Sequence, residues 1–165
     1  MIDLIKCVAY EGPSRLIPYE ELIPRVSVYG IIIKDDKVLL ELLTNGKYHF
    51  IGGGLESHET PDEAFLREGK EETGLILKLG GVVGYHKNFF YFNPLKQAYA
   101  NLGLYHKATV VSGELRDRPV IDDSIVKTTW VKLLAIHSGM FQFPEEYQMF
   151  DLAMESYYRD LRAAV

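Results

Sequence analysis

The sequence predicts a layered α/β (α+β) domain with a mixed β-sheet. Three observations support this prediction. Several runs are rich in β-branched and aromatic residues, one segment carries both start and stop signals for a helix, and a segment near the C-terminus repeats apolar residues at helical spacing. Strands and helices that alternate in this way are typical of a sheet covered by helices.

The strands are expected where the chain favours extended structure. Residues 26–43 contain two such runs around a polar turn at 34–37, which predicts a hairpin. A short strand at 48–51 leads into three consecutive glycines, and Asn93-Pro94 predicts a turn later in the chain. Further strands are expected at 75–86, 88–92, 97–111 and 125–133.

The first helix is marked at both ends. Thr60 can cap its N-terminus and form a capping box with Glu63, while Pro61 occupies the first helical position, where its missing N–H costs nothing. Gly74 can adopt the left-handed conformation that ends a helix, so the helix is expected to stop near Thr73.

A second helix is expected after Pro144. Met149, Ala153, Tyr157 and Leu161 recur at intervals of four residues and form a stripe on one helix face. We expect this stripe to cover the sheet.

Length and composition predict one domain, 1–165, in which residues 1–24 are a candidate N-terminal arm. The 165 residues are 47% hydrophobic and 25% charged, and no linker or repeat divides them. The single cysteine, Cys7, suits a reducing compartment, and the absence of a signal peptide or long apolar run predicts a cytoplasmic protein. A net charge of −5 without a basic cluster argues against binding to a nucleic acid duplex.

Three carboxylates of the first helix indicate a metal site. Glu68, Glu71 and Glu72 lie at offsets of 0, 3 and 4, so they share one helix face, where like charges repel unless a cation binds between them. Oxygen ligands of this kind suit Mg²⁺, or Mn²⁺, rather than zinc or copper. The backbone carbonyl of Gly52 or Gly53 is a further candidate ligand.

Residues 53–75, GGLESHETPDEAFLREGKEETGL, resemble the signature of the Nudix (MutT-like) hydrolases. The positions that match the signature are Gly53, Glu59, Arg67, Glu68, Glu71, Glu72, Gly74 and Leu75. Gly69 departs from it, because the family has an aliphatic residue there. We expect this change to cost helix propensity and buried area. His58, where many members have glycine, is a milder difference and is interpreted as a surface variation.

The resemblance implies an α/β/α sandwich around a mixed sheet and an Mg²⁺-dependent pyrophosphohydrolase. Such an enzyme hydrolyses a nucleoside diphosphate linked to another moiety, with water attacking phosphorus. It implies that Glu68 and Glu72 are the principal metal ligands, that Glu71 is a further ligand or the base, and that the Gly52 carbonyl is an additional ligand. Glu59 and Arg67 are expected to pair and hold the loop to the helix.

The resemblance leaves the proton acceptor open. Some family members use a glutamate of the signature and others an acid from a later loop. We favour Glu71, followed by Asp122 or Asp123, and the same loop also offers Glu114 and Asp117.

Substrate specificity is indicated only weakly. Tyr91, Phe89 and His86 are the candidate substrate-binding residues, since aromatic faces stack on nucleobases. Tyr85, Phe90, Tyr99 and His106 belong to the same aromatic and histidine-bearing strands. The substrate class therefore stays open among nucleoside triphosphates, nucleotide sugars, ADP-ribose and dinucleotides.

Two other functions are weighed against the hydrolase. A nucleotide-sensing Nudix module without turnover is disfavoured because all three glutamates are present. RNA decapping is disfavoured by the negative charge. The N-terminal arm suggests a homodimer.

Overall fold

The computed structural model describes residues 3–116 and 124–163, which form one mixed eight-stranded sheet with two helices. The strand order is β2-β1-β6-β7-β3-β5-β4-β8. β1 pairs with β6 and β3 with β7 in parallel, and the other pairings are antiparallel. The strands are β1 Leu4–Ala9, β2 Arg15–Pro18, β3 Ile23–Lys34, β4 Lys37–Leu43, β5 Tyr48–Gly54, β6 Ile76–Phe92, β7 Gln97–Ser112 and β8 Ile125–Lys132. The α-helices are α1 Pro61–Thr73 and α2 Pro144–Ala163, and short 3-10 turns lie at Tyr19–Glu21, Leu133–Ala135 and Ser138–Met140.

The two helices cover opposite faces of the sheet, because side chains along a strand alternate between its faces. Val28 and Ile32 of β3 pack with Phe65 of α1 in one buried cluster. Tyr29 and Ile31 of the same strand belong to another cluster, which contains Met149, Phe150 and Ala153 of α2. The predicted α+β layered fold is therefore confirmed.

The hairpin and the first helix form as the sequence predicts. Asp35 and Asp36 connect β3 to β4 with φ values of 51° and 54°, which fits the twist of a two-residue hairpin turn. In α1, Thr60 and Glu63 form the expected capping box. The helix ends at Gly74, whose φ of 72° is left-handed.

The strands and α2 differ from the sequence prediction in three places. The runs expected at 75–86 and 88–92 are one continuous strand, β6, with register shifts between Leu79 and Gly84. The strand expected at 48–51 extends to Gly54, because Ser27–Tyr29 of β3 pair with the three glycines. On α2, Leu161 is 47% exposed, so the buried stripe ends before it.

Residues 4–18 form a hairpin that extends the sheet of the same chain. β1 pairs with β2 on one side and β6 on the other, and Cys7 is fully buried among Ala9, Leu22 and Tyr91. Burial raises the pKa of the Cys7 thiol, which keeps it protonated. Contact of this segment with a second copy stays a prediction. No helix in the described part of the chain is both long and apolar enough to cross a membrane.

Gly69, the departure from the Nudix signature, makes room for a side chain of the sheet. It is buried in α1, and a Cβ at this position would lie 2.6 Å from Cδ1 of Leu77 on β6. Leu77 is itself buried among Phe65, Ala64 and Leu75. The expected loss of buried area is therefore wrong, because Leu77 fills the space that an aliphatic side chain at 69 would need.

We expect Gly69→Leu to lower the free energy of unfolding by about 1–3 kcal/mol, the usual cost of overpacking a core. The double variant Gly69→Leu/Leu77→Ala should recover most of this loss, since the second change vacates the same space. Urea unfolding of the single and double variants measures the loss of unfolding free energy and its recovery. Gly81→Ala is the control, since a Cβ at Gly81 meets nothing within 4 Å. Additive effects of the two changes would contradict the packing argument.

Candidate active site

A cleft of about 210 Å³ opens beside the glycines of β5 and the carboxylates of α1. Its charged and histidine side chains are Arg25, Glu41, His49, Glu68 and Glu72. Tyr10, Phe90, Phe92 and Leu95 contribute aromatic and apolar walls. The cleft thus joins a carboxylate-rich side to an aromatic surface.

The glycines at the end of β5 allow close approach of other groups. Gly52 has a φ of 135°, and a Cβ there would lie 2.1 Å from the carbonyl oxygen of Val28. A Cβ on Gly53 would lie 2.5 Å from Oε1 of Glu68. Any larger residue would push β5 away from β3 or displace the Glu68 carboxylate.

Glu72 is held against the backbone of β5. Its carboxylate is buried, and Oε2 accepts a hydrogen bond from the Gly52 N–H at 2.9 Å. The hydroxyl of Thr128 on β8 donates to the carbonyl oxygen of Glu72 at 3.0 Å. Both the side chain and the backbone of Glu72 are therefore fixed relative to the sheet.

Arg67 connects the loop before α1, the end of β5 and the carboxylate of Glu68. Its Nε and Nη2 donate to the two oxygens of Glu59 at 2.6 and 2.8 Å. Nη2 also donates to the carbonyl oxygen of Gly54 at 3.2 Å, and Nη1 lies 2.8 Å from Oε1 of Glu68. The predicted pair of Glu59 and Arg67 is thus present, and Arg67 also fixes Glu68.

The pairing perturbs both partners. The hydrogen bonds that Arg67 donates, together with the Glu56 N–H, lower the pKa of Glu59 to about 2. The same bonds to Glu59 raise the pKa of Arg67 above its ordinary value. Because folding lowers the pKa of Glu59, its contribution to stability is present above its unfolded-state pKa and is lost as pH falls towards 2.

Glu71 lies apart from the other two carboxylates. Its side chain is half-exposed, its Oε2 lies 3.8 Å from Nη1 of Arg67, and it does not line the cleft. Across residues 3–116 and 124–163, no three His, Cys, Asp or Glu side chains are gathered into a cluster that could hold a metal ion. Glu68 and Glu72 are the two carboxylates that meet the glycines.

Of the four predicted loop acids, Glu114 lies in the described part of the chain. Asp117, Asp122 and Asp123 lie outside the described residues. Glu114 is exposed and does not line the cleft. The predicted proton acceptor stays Glu71, followed by Asp122 or Asp123.

The predicted substrate-binding residues Tyr91, Phe89 and His86 do not line this cleft. Tyr91 packs beside Cys7 under the guanidinium of Arg15, 4.0 Å from its ring centre, and Phe89 packs against the same cluster. Phe90 and Phe92, on the opposite face, line the cleft instead. His86 lies 3.7 Å from Glu145 of α2 and does not line the cleft.

The remaining aromatic and histidine candidates are also placed. Tyr99 packs on Phe90 and beneath Arg25 and does not itself line the cleft. Tyr85 is 73% exposed, and His106 lies 3.1 Å from the carbonyl oxygen of Gly80. His58 is exposed beside Glu56, which agrees with a surface variation.

Sequence reasoning missed Arg25, Glu41 and His49 among the charged and histidine side chains that line the cleft. Glu41 interrupts the apolar run of β4 and is nearly fully buried, and His49 faces it across the β4–β5 pairing. A charge within a hydrophobic strand is a signal that can be found in a sequence. Arg25, at the start of β3, carries no such signal.

Arg25 lies at the cleft in an orientation that suits contact with an anion. Its Nε donates to Ser27 Oγ at 3.1 Å, and Ser27 donates to Asn101 at 2.8 Å. The guanidinium lies over the ring of Tyr99, 5.2 Å from its centre. Nη1 and Nη2 make no hydrogen bond or ion pair with the described residues, so both remain available to a ligand at the cleft.

The chain belongs to the Nudix family. The family model described as NUDIX domain matches residues 23–151, which is most of the chain. This range contains Arg25, the three glycines, α1 and the start of α2.

Individual relatives support the same assignment. The chain is 45% identical over 69 residues to an ADP-ribose pyrophosphatase of Methanocaldococcus jannaschii. The aligned region covers 39% of this chain and 41% of the relative. The chain is 38% identical over 65 residues to a MutT-like protein of Streptomyces ambofaciens, covering 38% and 42%. The matched region therefore spans about two fifths of each relative.

Solved structures share the fold. A NUDIX hydrolase from Nitrosomonas europaea aligns with a TM-score of 0.63 and 26% identity, covering 81% of this chain and 90% of that one. A MutT protein from Methanosarcina mazei aligns with a TM-score of 0.62 and 21% identity, covering 82% and 97%. The second comparison shows likeness of fold alone.

We expect the Glu59 carboxyl to titrate near pH 2 in the wild-type protein. In Arg67→Met its pKa should rise towards the ordinary value, because the fork of donated hydrogen bonds is gone. Carboxyl ¹³C NMR across an acid titration measures this shift. Glu63 is the internal control, since Thr60, and not Arg67, lowers its pKa. An unchanged Glu59 pKa in Arg67→Met would show that the pair is not the cause.

Proposed function

We propose that this protein is a divalent-metal-dependent hydrolase of a nucleoside diphosphate linked to another moiety. The observation that carries the proposal is the joint placement of Glu68 and Glu72 at the glycines of β5. Arg67 fixes Glu68 and the Gly52 N–H fixes Glu72. The Nudix family membership and the names of the relatives, an ADP-ribose pyrophosphatase and a MutT-like protein, support it.

The residues present fit a hard divalent cation. Mg²⁺ keeps several waters and is usually bound by one or two carboxylates together with substrate phosphates. Two fixed carboxylates beside an open cleft match that requirement, and the site has no nitrogen or sulfur donor from α1. A bound Mg²⁺ or Mn²⁺ would neutralise the pyrophosphate and lower the pKa of a bound water.

The chain's own residues then position the reaction. Glu68 and Glu72 hold the cation site in place, while Arg67 and Glu59 keep the loop and the helix in register. The oxygen of water forms a bond to phosphorus as the anhydride P–O bond breaks, and the bridging oxygen leaves with the other phosphate-bearing product. One proton of water passes to a carboxylate, for which we propose Glu71, followed by Asp122 or Asp123. The half-exposed position of Glu71 leaves it accessible to solvent.

Arg25 is proposed to bind a phosphate of the substrate. It is the one lysine or arginine among the described residues that line the cleft, and its two terminal nitrogens suit a bidentate contact with phosphate oxygens. The substrate class stays open among nucleoside triphosphates, nucleotide sugars, ADP-ribose and dinucleotides.

Glu72→Gln and Glu68→Gln should each lower kcat by at least about 100-fold, since losing even an outer partner of a metal ligand costs 10–100-fold. The assay measures nucleoside monophosphate release from a panel of those four classes, with and without Mg²⁺. Glu155→Gln, an exposed change on α2, should leave the rate unchanged. Glu71→Gln tests the proton acceptor in the same assay.

Activity within a few-fold of wild type in Glu72→Gln would show that the metal assignment is wrong. Thermal unfolding should shift upward with millimolar Mg²⁺ in the wild type and in Glu155→Gln, but not in Glu72→Gln. Nucleotide binding without metal-dependent release from any substrate would instead favour the sensing module.

Arg25→Gln should raise KM for the productive substrate by about 10-fold or more, the scale of a lost charged hydrogen bond, while changing kcat less. Arg25→Lys should recover only part of this, because an ammonium cannot make the bidentate contact or reach Ser27 in the same geometry. Steady-state kinetics at saturating Mg²⁺ separate the two constants. A change in kcat alone would contradict ground-state phosphate binding.

A further inference from the structure

A row of polar side chains crosses the centre of the sheet and ends at the cleft. Arg25 of β3 lies beside Asn101 of β7 in the parallel register, and Asn101 lies beside Asn88 of β6 in the antiparallel register. Residues at the same level on neighbouring strands point to the same face of a sheet. The three side chains therefore form one continuous row, and Arg25 is the member that lines the cleft.

Hydrogen bonds join this row in a single direction. Arginine can only donate, so Ser27 Oγ accepts from Arg25 Nε at 3.1 Å, and the one hydroxyl hydrogen of Ser27 is donated to Asn101 Oδ1 at 2.8 Å. The other end of the same amide, Asn101 Nδ2, donates to Asn88 Oδ1 at 3.1 Å. Each bond thus fixes the orientation of the next group.

The middle of the row is buried. Ser27 is 0% exposed and Asn101 is 1% exposed. Asparagine is depleted in strands, and a buried amide must find hydrogen-bond partners, a requirement that an apolar residue at 101 would not impose. A departure from local preference of this kind is expected where the fold serves a functional site.

The guanidinium of Arg25 is also confined by its neighbours. It lies over the ring of Tyr99, 5.2 Å from the ring centre, and the Tyr99 hydroxyl donates to Gln97 Oε1 at 2.5 Å. Gly54 lies so close that a Cβ there would be 2.4 Å from Arg25 Nη2. With Nε held by Ser27, Nη1 and Nη2 are the nitrogens left for a ligand.

Tyr29 is a further neighbour of Ser27. Burial raises the pKa of Tyr29, and the charge of Arg25 and hydrogen bonding with Ser27 lower it by less, so the phenol stays neutral. The Ser27 hydroxyl therefore has two neutral acceptors within reach, and Asn101 is the one that it meets in the structure. Removing Asn101 would let this hydroxyl turn towards Tyr29.

We propose that Ser27 and Asn101 are positioning residues for Arg25, with Ser27 holding Nε and Asn101 holding Ser27 in the rotamer that does so. This inference rests on the proposed function, in which Arg25 binds a phosphate of the substrate. A long side chain loses conformational freedom when it binds a ligand, and a side chain that is already fixed loses less. The row therefore strengthens substrate binding without touching the substrate.

Steady-state kinetics at saturating Mg²⁺ tests this role, with whichever of the four substrate classes the wild type turns over. Ser27→Ala should raise KM about 5-fold, the scale of one lost hydrogen bond, and Asn101→Leu should raise it at least about 3-fold, while kcat changes less. An unchanged KM in Ser27→Ala would contradict the proposal. Ile17→Ala is the control, since Ile17 packs beside Cys7 near the edge of the sheet and should lose stability without a change in KM.

A background without Arg25 separates positioning from general destabilisation. In Arg25→Gln, adding Ser27→Ala or Asn101→Leu should leave KM within about 2-fold, because the group that they position is gone. Additive increases of KM in the double variants would show that the two residues act on the fold and not through Arg25, and would overturn the proposal.

Arg25 can also be observed directly, without substrate or metal. ¹H–¹⁵N NMR of the arginine side chains measures exchange of each Nε–H with solvent. In the wild type, the Nε–H of Arg25 should exchange more slowly than that of Arg162, an exposed arginine on α2. Ser27→Ala and Asn101→Leu should each speed the exchange at Arg25 by about 5-fold and leave that at Arg162 unchanged.

The two proposals fail in different ways. An Arg25 Nε–H that exchanges as fast as that of Arg162, or at the same rate in the wild type and both variants, would overturn the positioning role even if metal-dependent hydrolysis were found. Slow exchange that depends on Ser27 and Asn101, without metal-dependent release of product, would keep the positioning of Arg25 and reject the hydrolase.

Discussion

The candidate site depends on the guanidinium of Arg67 more than on any other group. It joins Glu59 in the loop, the Gly54 carbonyl at the end of β5 and the Glu68 carboxylate on its own helix. A planar fork can satisfy three such partners, whereas a point charge cannot. Removing it would free the loop and leave Glu68 without a partner to hold it over Gly53.

The sequence predicts those features of the site that depend on local residue patterns. The capping box, the left-handed Gly74 and the spacing of Glu68 and Glu72 all depend on residues close together in the chain, and each is found as predicted. Glu71 shows the limit of that reasoning. Its angular position on α1 is close to those of Glu68 and Glu72, but its side chain is half-exposed near Arg67 and does not line the cleft. Which part of the helix face meets the cleft depends on where the sheet ends.

The other features of the site depend on contacts between distant segments. His49 meets Glu146 across 97 positions, and Asn45 joins the segment after β1 to Gln142. Choosing among Phe89, Phe90, Tyr91 and Phe92 requires the face of β6 that points to the cleft. A shift of one residue along a strand moves every side chain to the opposite face. No local pattern in this aromatic run supplies that phase, and the structure places Phe89 and Tyr91 outside the cleft.

The charges of the cleft support the proposal that a bound cation favours the binding of an anionic substrate. Among the described lining residues, Glu41, Glu68 and Glu72 carry negative charge, and Arg25 is the fixed positive charge. A pyrophosphate in this cleft would lie near these three carboxylates, which oppose the approach of an anion. In the proposed reaction, a divalent cation bound at Glu68 and Glu72 would make the local potential more positive, and Arg25 would then orient a phosphate group.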